Sequence, residues 1–208
     1  ATTEIYTLSL PDALPISLVF QIIKATGHNP SYNASRALFT GLVTDTGCFR
    51  FEGVNSSTFR LAAEMCESGI DSYQITQYLF EEHPVQRLAL ERQVLNRLRL
   101  LIGGKVAISE LYISDFEEAG AELSDGENLV NKLRETRGVE VGILMTRVSA
   151  NLTRVSLRSK GHLDVSVIAG LFGGGGHRRA AGVKSHEDFT VLQKRSEEHT
   201  SELQSPNT

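Results

Sequence analysis

The sequence has only two cysteines, no long apolar run and no basic residue before Lys24, and each of these shortages argues against a class of protein. Cys48 and Cys66 are too few for a disulfide framework, which favours a reducing cytoplasmic location. No apolar run approaches the roughly 20 residues of a membrane span, so no membrane partner is expected. No basic residue precedes Lys24, which argues against a secretory signal.

The two ends of the chain differ in character from the rest. IYTLSLPDALPIS (5–17) and RSEEHTSELQS (195–205) resemble translated sequencing adaptors, so residues 1–17 and 195–208 are interpreted as artefacts. The alternative is an irregular head and a solvated polar tail. Five of the 25 acidic residues and none of the 21 basic ones lie in 1–17 and 196–208, so the remainder has a formal charge of +1 rather than −4.

Between the ends, segments with helical and strand-like apolar spacing alternate, which indicates an α/β fold. We predict one domain over 18–83, a connector over 84–104 and a second domain over 105–194. The connector is dominated by a helix predicted over 84–101, and a helix packed within one domain is the alternative. In the second domain, strands are predicted at 139–148 and 152–159, followed by a helix capped by Asp164.

The Gly-rich segment GGGGHRRAAG (173–182) is the sharpest feature of the sequence. Glycines let the backbone approach a ligand closely and expose amide donors to an anion, and His177 and Arg178 add further donors. Residues 139–184 carry seven basic side chains against two acidic ones, which favours an anionic ligand such as a phosphate. The alternatives are a flexible linker and scattered surface charge.

Three other charged residues stand at the ends of predicted elements. Asp45 lies in Thr-Asp-Thr-Gly after the apolar run 37–43, which is predicted as a buried strand or helix. Its carboxylate can bind Mg²⁺ or Mn²⁺, which prefer oxygen ligands, or can cap a turn. Arg158 and Lys160, at the end of a predicted strand, can hold a phosphate or form an ordinary polar strand end.

Three segments together resemble the DHH phosphoesterases, specifically the branch of bifunctional oligoribonucleases and phosphoadenosine-phosphate phosphatases. They are ALFTGLVTDTGCFRF (37–51), Arg158-Ser159-Lys160 and FGGGGHRRAAG (172–182). The resemblance covers roughly residues 18–194. It implies an α/β fold in which the remnant of a parallel-sheet DHH catalytic domain is joined by a helix to a smaller α/β substrate-binding domain.

The resemblance also implies a reaction and roles for particular residues. Asp45 is implied as catalytic and as a metal ligand shared between two Mn²⁺ ions, with Mg²⁺ as the other option. The implied reaction is two-metal hydrolysis of short RNA oligonucleotides and phosphoadenosine phosphate, and a homodimer is one option for the assembly. The implied substrate-binding residues are Arg158, Lys160, Gly174, Gly175, Gly176, His177 and Arg178.

The sequence departs from the family pattern in its metal motifs. The family's Asp-x-Asp and Asp-His-His motifs occur nowhere in it, and its lone metal-binding Asp has no counterpart either. Asp45 is then the one family metal ligand present, so we expect the chain to be inactive by itself. The alternative function is a non-catalytic module that binds nucleotides or nucleic acid.

Overall fold

A computed structural model describes residues 14–161 and 163–186, together with residues 191 and 194. The chain divides into two compact units, Ala1–Glu82 and His83–Thr208. Most of the adaptor-like ends lies outside the described residues, but residues 14–17 belong to the first helix, and Ser17 is buried there. No helix in the described ranges has the length and apolar character of a membrane span.

The described residues of the first unit form four helices. These are α1 (Leu14–Ala25), α2 (Tyr32–Asp45), α3 (Ser56–Cys66) and α4 (Ser72–Phe80). Side-chain oxygens of the preceding residue accept a backbone hydrogen bond at the start of α2, α3 and α4, as N-cap residues do: Ser31, Asn55 and Asp71. The helices meet in a core that includes Phe39, Leu42, Met65 and Ile75.

Two local details of this unit concern the apolar run 37–43, for which a strand and a helix were both predicted, and the start of α3. The apolar run 37–43 is helical, within α2. The N-cap of α3 is Asn55, and the Thr58 hydroxyl accepts the Asn55 amide at 3.3 Å. The two residues form a reciprocal capping box, in which each polar side chain accepts a backbone hydrogen bond at the start of the helix.

In the described part of the second unit, four helices accompany a six-stranded sheet. In chain order the elements are α5 (Val85–Asn96), β1 (Arg99–Leu101), β2 (Val106–Leu111), α6 (Ile113–Ala119), α7 (Val130–Glu135), β3 (Val141–Ser149), β4 (Leu152–Ser159), α8 (Val165–Leu171), β5 (Gly175–His177) and β6 (Ala180–Ser185). The strand order is β1-β2-β3-β4-β6-β5, with β2 and β3 parallel and all other neighbours antiparallel. The predicted α/β class is confirmed, and the sheet belongs to the second unit.

The two faces of this sheet are covered differently. Helix α8 packs on one face, against side chains such as Ile143, Val155 and Leu157. Helices α5, α6 and α7 pack on the other face, over β2 and β3, around Leu111 and Leu144. Burial alternates along β4 and β6, as in strands with one buried face. We call the face of β4, β6 and β5 that points away from α8 the open face.

The helix predicted over 84–101 is too long. Helix α5 ends at Asn96, and Arg99–Leu101 form strand β1, which pairs with β2. Leu90 and Val94 pack in one cluster with residues of β2, α6 and α7, so α5 belongs to the core of the second unit. Apolar residues continue past the end of the helix at Leu98 and Leu100, so their spacing alone did not mark the change to a strand.

An ion pair fastens the end of α5 to the start of α6. The Arg97 guanidinium donates to the Asp115 carboxylate at 2.6 and 2.8 Å, and the Tyr112 amide donates to it at 2.7 Å. Burial of Asp115 acts to raise its pKa, but the hydrogen bonds from Arg97 and Tyr112 outweigh burial and hold the pKa below its usual value.

We expect Asp115→Asn to lower the free energy of unfolding by about 2 kcal/mol at pH 7, because Arg97 loses its charged partner. The pKa is lower in the folded than in the unfolded state, so the carboxylate contributes fully above an unfolded pKa of about 3.9. That contribution is lost as the pH falls through the folded pKa, and the difference between wild type and variant then shrinks. Urea unfolding at pH 7 and pH 3 measures both effects.

The ion pair between Lys105 and Glu140 provides a control for this prediction. Its side chains are 51% and 41% exposed, so Glu140→Gln should change stability by less than about 1 kcal/mol. Equal effects of the two substitutions at pH 7 would contradict the role given to Asp115.

Candidate functional site

Strand register brings Arg158 and His177 into one row on the open face. Arg158 in β4 lies directly opposite Ala180 in β6, and Ala180 lies directly opposite His177 in β5. Opposed residues of neighbouring antiparallel strands point to the same face of a sheet. Arg158 and His177 therefore flank a small alanine, and two of the predicted substrate-binding residues share one surface.

The Arg158 guanidinium is held in place and partly withdrawn from solvent. Its Nη1 donates to the Leu157 carbonyl at 3.0 Å, and its Nη2 donates to Asn128 Oδ1 at 3.3 Å. Burial lowers the pKa of Arg158, and the positive charge of Arg134 lowers it further. Among the described residues, no carboxylate forms an ion pair with Arg158. The arrangement favours an incoming anion.

The Gly-rich segment is a hairpin rather than a loop. Gly175–His177 form the edge strand β5, which pairs with β6, and Arg178 and Arg179 lie at the turn between them. The Gly174 amide donates to the Ala169 carbonyl at 2.8 Å, which caps the C-terminal end of α8. At Gly174, the residue before β5, a Cβ would lie 2.3 Å from the Gly182 carbonyl oxygen, so close packing of this residue against β6 explains the glycine.

Ser159 fixes the turn beside this hairpin, a role that the sequence analysis did not assign to it. Its hydroxyl is buried and donates to the Leu163 carbonyl at 2.9 Å, and its amide donates to the Arg179 carbonyl at 3.1 Å. Arg178 itself is exposed. The exposed Lys160 donates from Nζ to the Thr136 carbonyl at 2.8 Å, which ties the end of β4 to the loop after α7.

Asp45 is the last residue of α2, in the first unit, and its side chain is exposed. The next residue, Thr46, is buried, and its hydroxyl donates to the Leu42 carbonyl at 2.6 Å and accepts the Phe49 amide at 3.1 Å. Residues 47–49 all have positive φ, including the non-glycine residues Cys48 and Phe49. Backbone strain of this kind persists only where the surroundings fix it.

The described residues do not by themselves form a site for two metal ions. No group of three or more His, Cys, Asp or Glu side chains suited to a metal occurs among them. Asp45 alone supplies one carboxylate, whereas Mn²⁺ and Mg²⁺ need several oxygen ligands. The donor set of this part of the chain therefore does not fit a two-metal centre, although Asp45 fits one ligand position.

Comparison with known families agrees with the α/β fold. The DHHA1 domain family matches residues 103–202, which include β2 to β6 and the row that holds Arg158 and His177. The chain is therefore similar to the DHH family of phosphoesterases. Within that family, its similarities fall in the branch of the bifunctional oligoribonuclease and PAP phosphatases.

Similar curated proteins support that assignment. The bifunctional oligoribonuclease and PAP phosphatase NrnA of Thermus thermophilus is 31% identical over 82% of this chain and 50% of that protein. The protein of the same name from Bacillus subtilis is 24% identical over 76% of this chain and 50% of that protein. The chain thus spans about half the length of these relatives.

A solved structure shows the same fold. An exopolyphosphatase-related protein from Bacteroides fragilis superposes with a TM-score of 0.82 over 91% of this chain and 58% of that chain, at 24% identity. At this identity the likeness concerns the fold.

Proposed function

We propose that the protein containing this chain is a metal-dependent phosphoesterase that hydrolyses short RNA oligonucleotides and phosphoadenosine phosphate, and that this chain binds the nucleotide. The observation that carries the proposal is Arg158. Its partly buried guanidinium, beside Arg134 and in a row with His177, gains stability when a phosphate neutralises the local charge. The names of the curated relatives support this class of substrate.

The other predicted residues have supporting roles in this proposal. His177 adds a donor at the far end of the row from Arg158, and Arg178 adds positive charge at the hairpin turn. Gly175 is exposed and leaves open space where a side chain would stand, so a phosphate can approach the edge strand closely. Lys160, which donates a hydrogen bond to the loop after α7, adds positive charge that attracts the phosphate.

Asp45 is proposed as a ligand of Mn²⁺ or Mg²⁺ in the complete protein. Asp45 is the exposed last residue of α2, and its carboxylate offers the oxygen ligands that these two ions prefer. Since one carboxylate does not hold two ions, we propose that the 208-residue chain alone binds nucleotide without hydrolysing it.

Calorimetry with phosphoadenosine phosphate, paired with chromatography of a short RNA incubated with the chain and MnCl₂, tests these two parts. We expect binding of phosphoadenosine phosphate, no binding of adenosine as the phosphate-free control, and no release of mononucleotide. Release of mononucleotide would disprove the claim of inactivity. Equal binding of adenosine and phosphoadenosine phosphate, or binding of neither, would disprove the phosphate site.

A further inference from the structure

A second basic row crosses the open face beyond Arg158. Arg154 in β4 lies directly opposite Lys184 in β6, and on its other side it lies opposite Thr146 in β3. Side chains alternate along a strand, so Arg154 shares the face of Arg158, about 13 Å away along β4. Both Arg154 and Lys184 are exposed. The open face therefore carries two charged rows rather than one.

The row between them is made of small residues. Ser156 in β4 lies opposite Gly182 in β6, which lies opposite Gly175 in β5. No bulky side chain of this row separates the two charged rows. An oligomeric ligand bound at Arg158 can therefore extend across the sheet surface toward Arg154.

A shallow cavity links the two arginines on the β3 side. It has a volume of about 260 Å³ and is lined by both of them and Ser156, with Asn128 and Glu127 on its wall. Glu127 is the acidic residue in this lining, and its main-chain carbonyl accepts a hydrogen bond from Arg87 at 2.7 Å. Arg87 also donates to the Asp125 carbonyl at 2.8 Å, so the wall is fastened to α5.

The arrangement of the second row is costly without an anion. Like charges directly opposite each other destabilise a sheet. Within the described part of the chain, the side chains of Arg154 and Lys184 form no ion pair or hydrogen bond that would offset this cost. A phosphate lying between them would neutralise both.

We propose that Arg154 and Lys184 form a second phosphate subsite, which holds a phosphate of an oligonucleotide beyond the nucleotide bound at Arg158. The inference rests on the proposed function. At about 3.4 Å per stacked nucleotide, roughly four nucleotides span the distance between the rows. Phosphoadenosine phosphate is too short to reach both, so the subsite favours oligonucleotides over that ligand.

The test compares two ligands on the whole chain and its variants. Fluorescence anisotropy measures a 5′-phosphorylated, 3′-labelled tetraribonucleotide, and calorimetry measures phosphoadenosine phosphate. For the double variant Arg154→Ala/Lys184→Ala we expect about tenfold weaker tetranucleotide binding and a salt slope smaller by about 0.7 per lost contact. Binding of phosphoadenosine phosphate should change less than twofold. Arg147→Ala is the matched control, because Arg147 lies opposite Thr153 on the other face of the sheet.

Each contrary outcome has a distinct meaning. Unchanged tetranucleotide binding by the double variant would overturn the second subsite and leave the proposed function intact. Equal loss of both ligands, with an unchanged circular dichroism spectrum, would mean one shared phosphate site and would also overturn it. Binding of an acidic peptide with the same dependence on the two residues would show a general anion surface instead. Binding of neither nucleotide by the wild-type chain would overturn the proposed function and this inference together.

Discussion

Arg158→Ala is expected to weaken binding of phosphoadenosine phosphate by about 10- to 100-fold, the range of a lost charge-assisted hydrogen bond. The same substitution should leave the stability of the fold within about 1 kcal/mol of wild type or raise it, because it removes a partly buried cation beside Arg134. Substitution of a purely structural residue would show the opposite pattern, because it would lower the stability of the fold and weaken binding only as a consequence of unfolding.

Calorimetric titration and thermal unfolding of the same samples measure the two effects. Arg158→Lys retains the charge but not the planar donor pair that contacts Leu157 and Asn128, so we expect it to recover only part of the affinity. Arg147→Ala should bind like wild type. Full affinity in Arg158→Ala, or a loss of stability larger than about 2 kcal/mol, would contradict a phosphate-binding role for Arg158.

Gly174→Ala is expected to lower the free energy of unfolding by about 2–3 kcal/mol, the range of an overpacked core. The added methyl group would lie 2.3 Å from the Gly182 carbonyl oxygen and 2.9 Å from the Val183 Cα, both backbone atoms of β6. Strand β6 would have to move away from the end of α8. Because the φ of Gly174 is not positive, steric contact rather than backbone strain is the cause.

The neighbouring glycine is the matched control. An alanine at Gly175 would meet no atom within 4 Å, and Gly175 also lacks a positive φ. We therefore expect Gly175→Ala to change stability by less than about 1 kcal/mol. Urea unfolding of both variants measures the difference. Equal stability of the two variants would show that Gly174 is not packed against β6 as described.

Several elements could be predicted from local sequence because their signals are local. The strand predicted at 152–159 coincides with β4, and Asp164 caps α8 by accepting the Ser166 amide at 3.0 Å. Alternating burial and side-chain capping depend on residues close together in the chain, so the sequence carries them directly. The strand at Arg99–Leu101 was missed because its pairing with β2, rather than its own composition, makes it a strand.

The residues of the candidate site differ in how far the sequence signals their placement. Arg158 and His177 were singled out by residue type and motif, and the structure brings them into one row. Asn128 accepts a hydrogen bond from Arg158 but belongs to no recognisable sequence motif. It lies in a loop with a φ of 63°, so nothing in the local sequence indicated its role. The glycines of 174–176 were assigned to a phosphate loop, whereas the structure gives Gly174 and Gly176 a packing reason against β6.

The sequence by itself determined the class of fold, the resemblance to the DHH family and the residue types that can bind an anion. Only the tertiary structure decided which of those residues act together. The alignment of Arg158 with His177, and of Arg154 with Lys184, depends on the register of β4, β6 and β5. A shift of one residue in that register would move a strand's side chains to the opposite face. Register is set by packing of the whole sheet against α8, so the pattern of any single strand does not contain it.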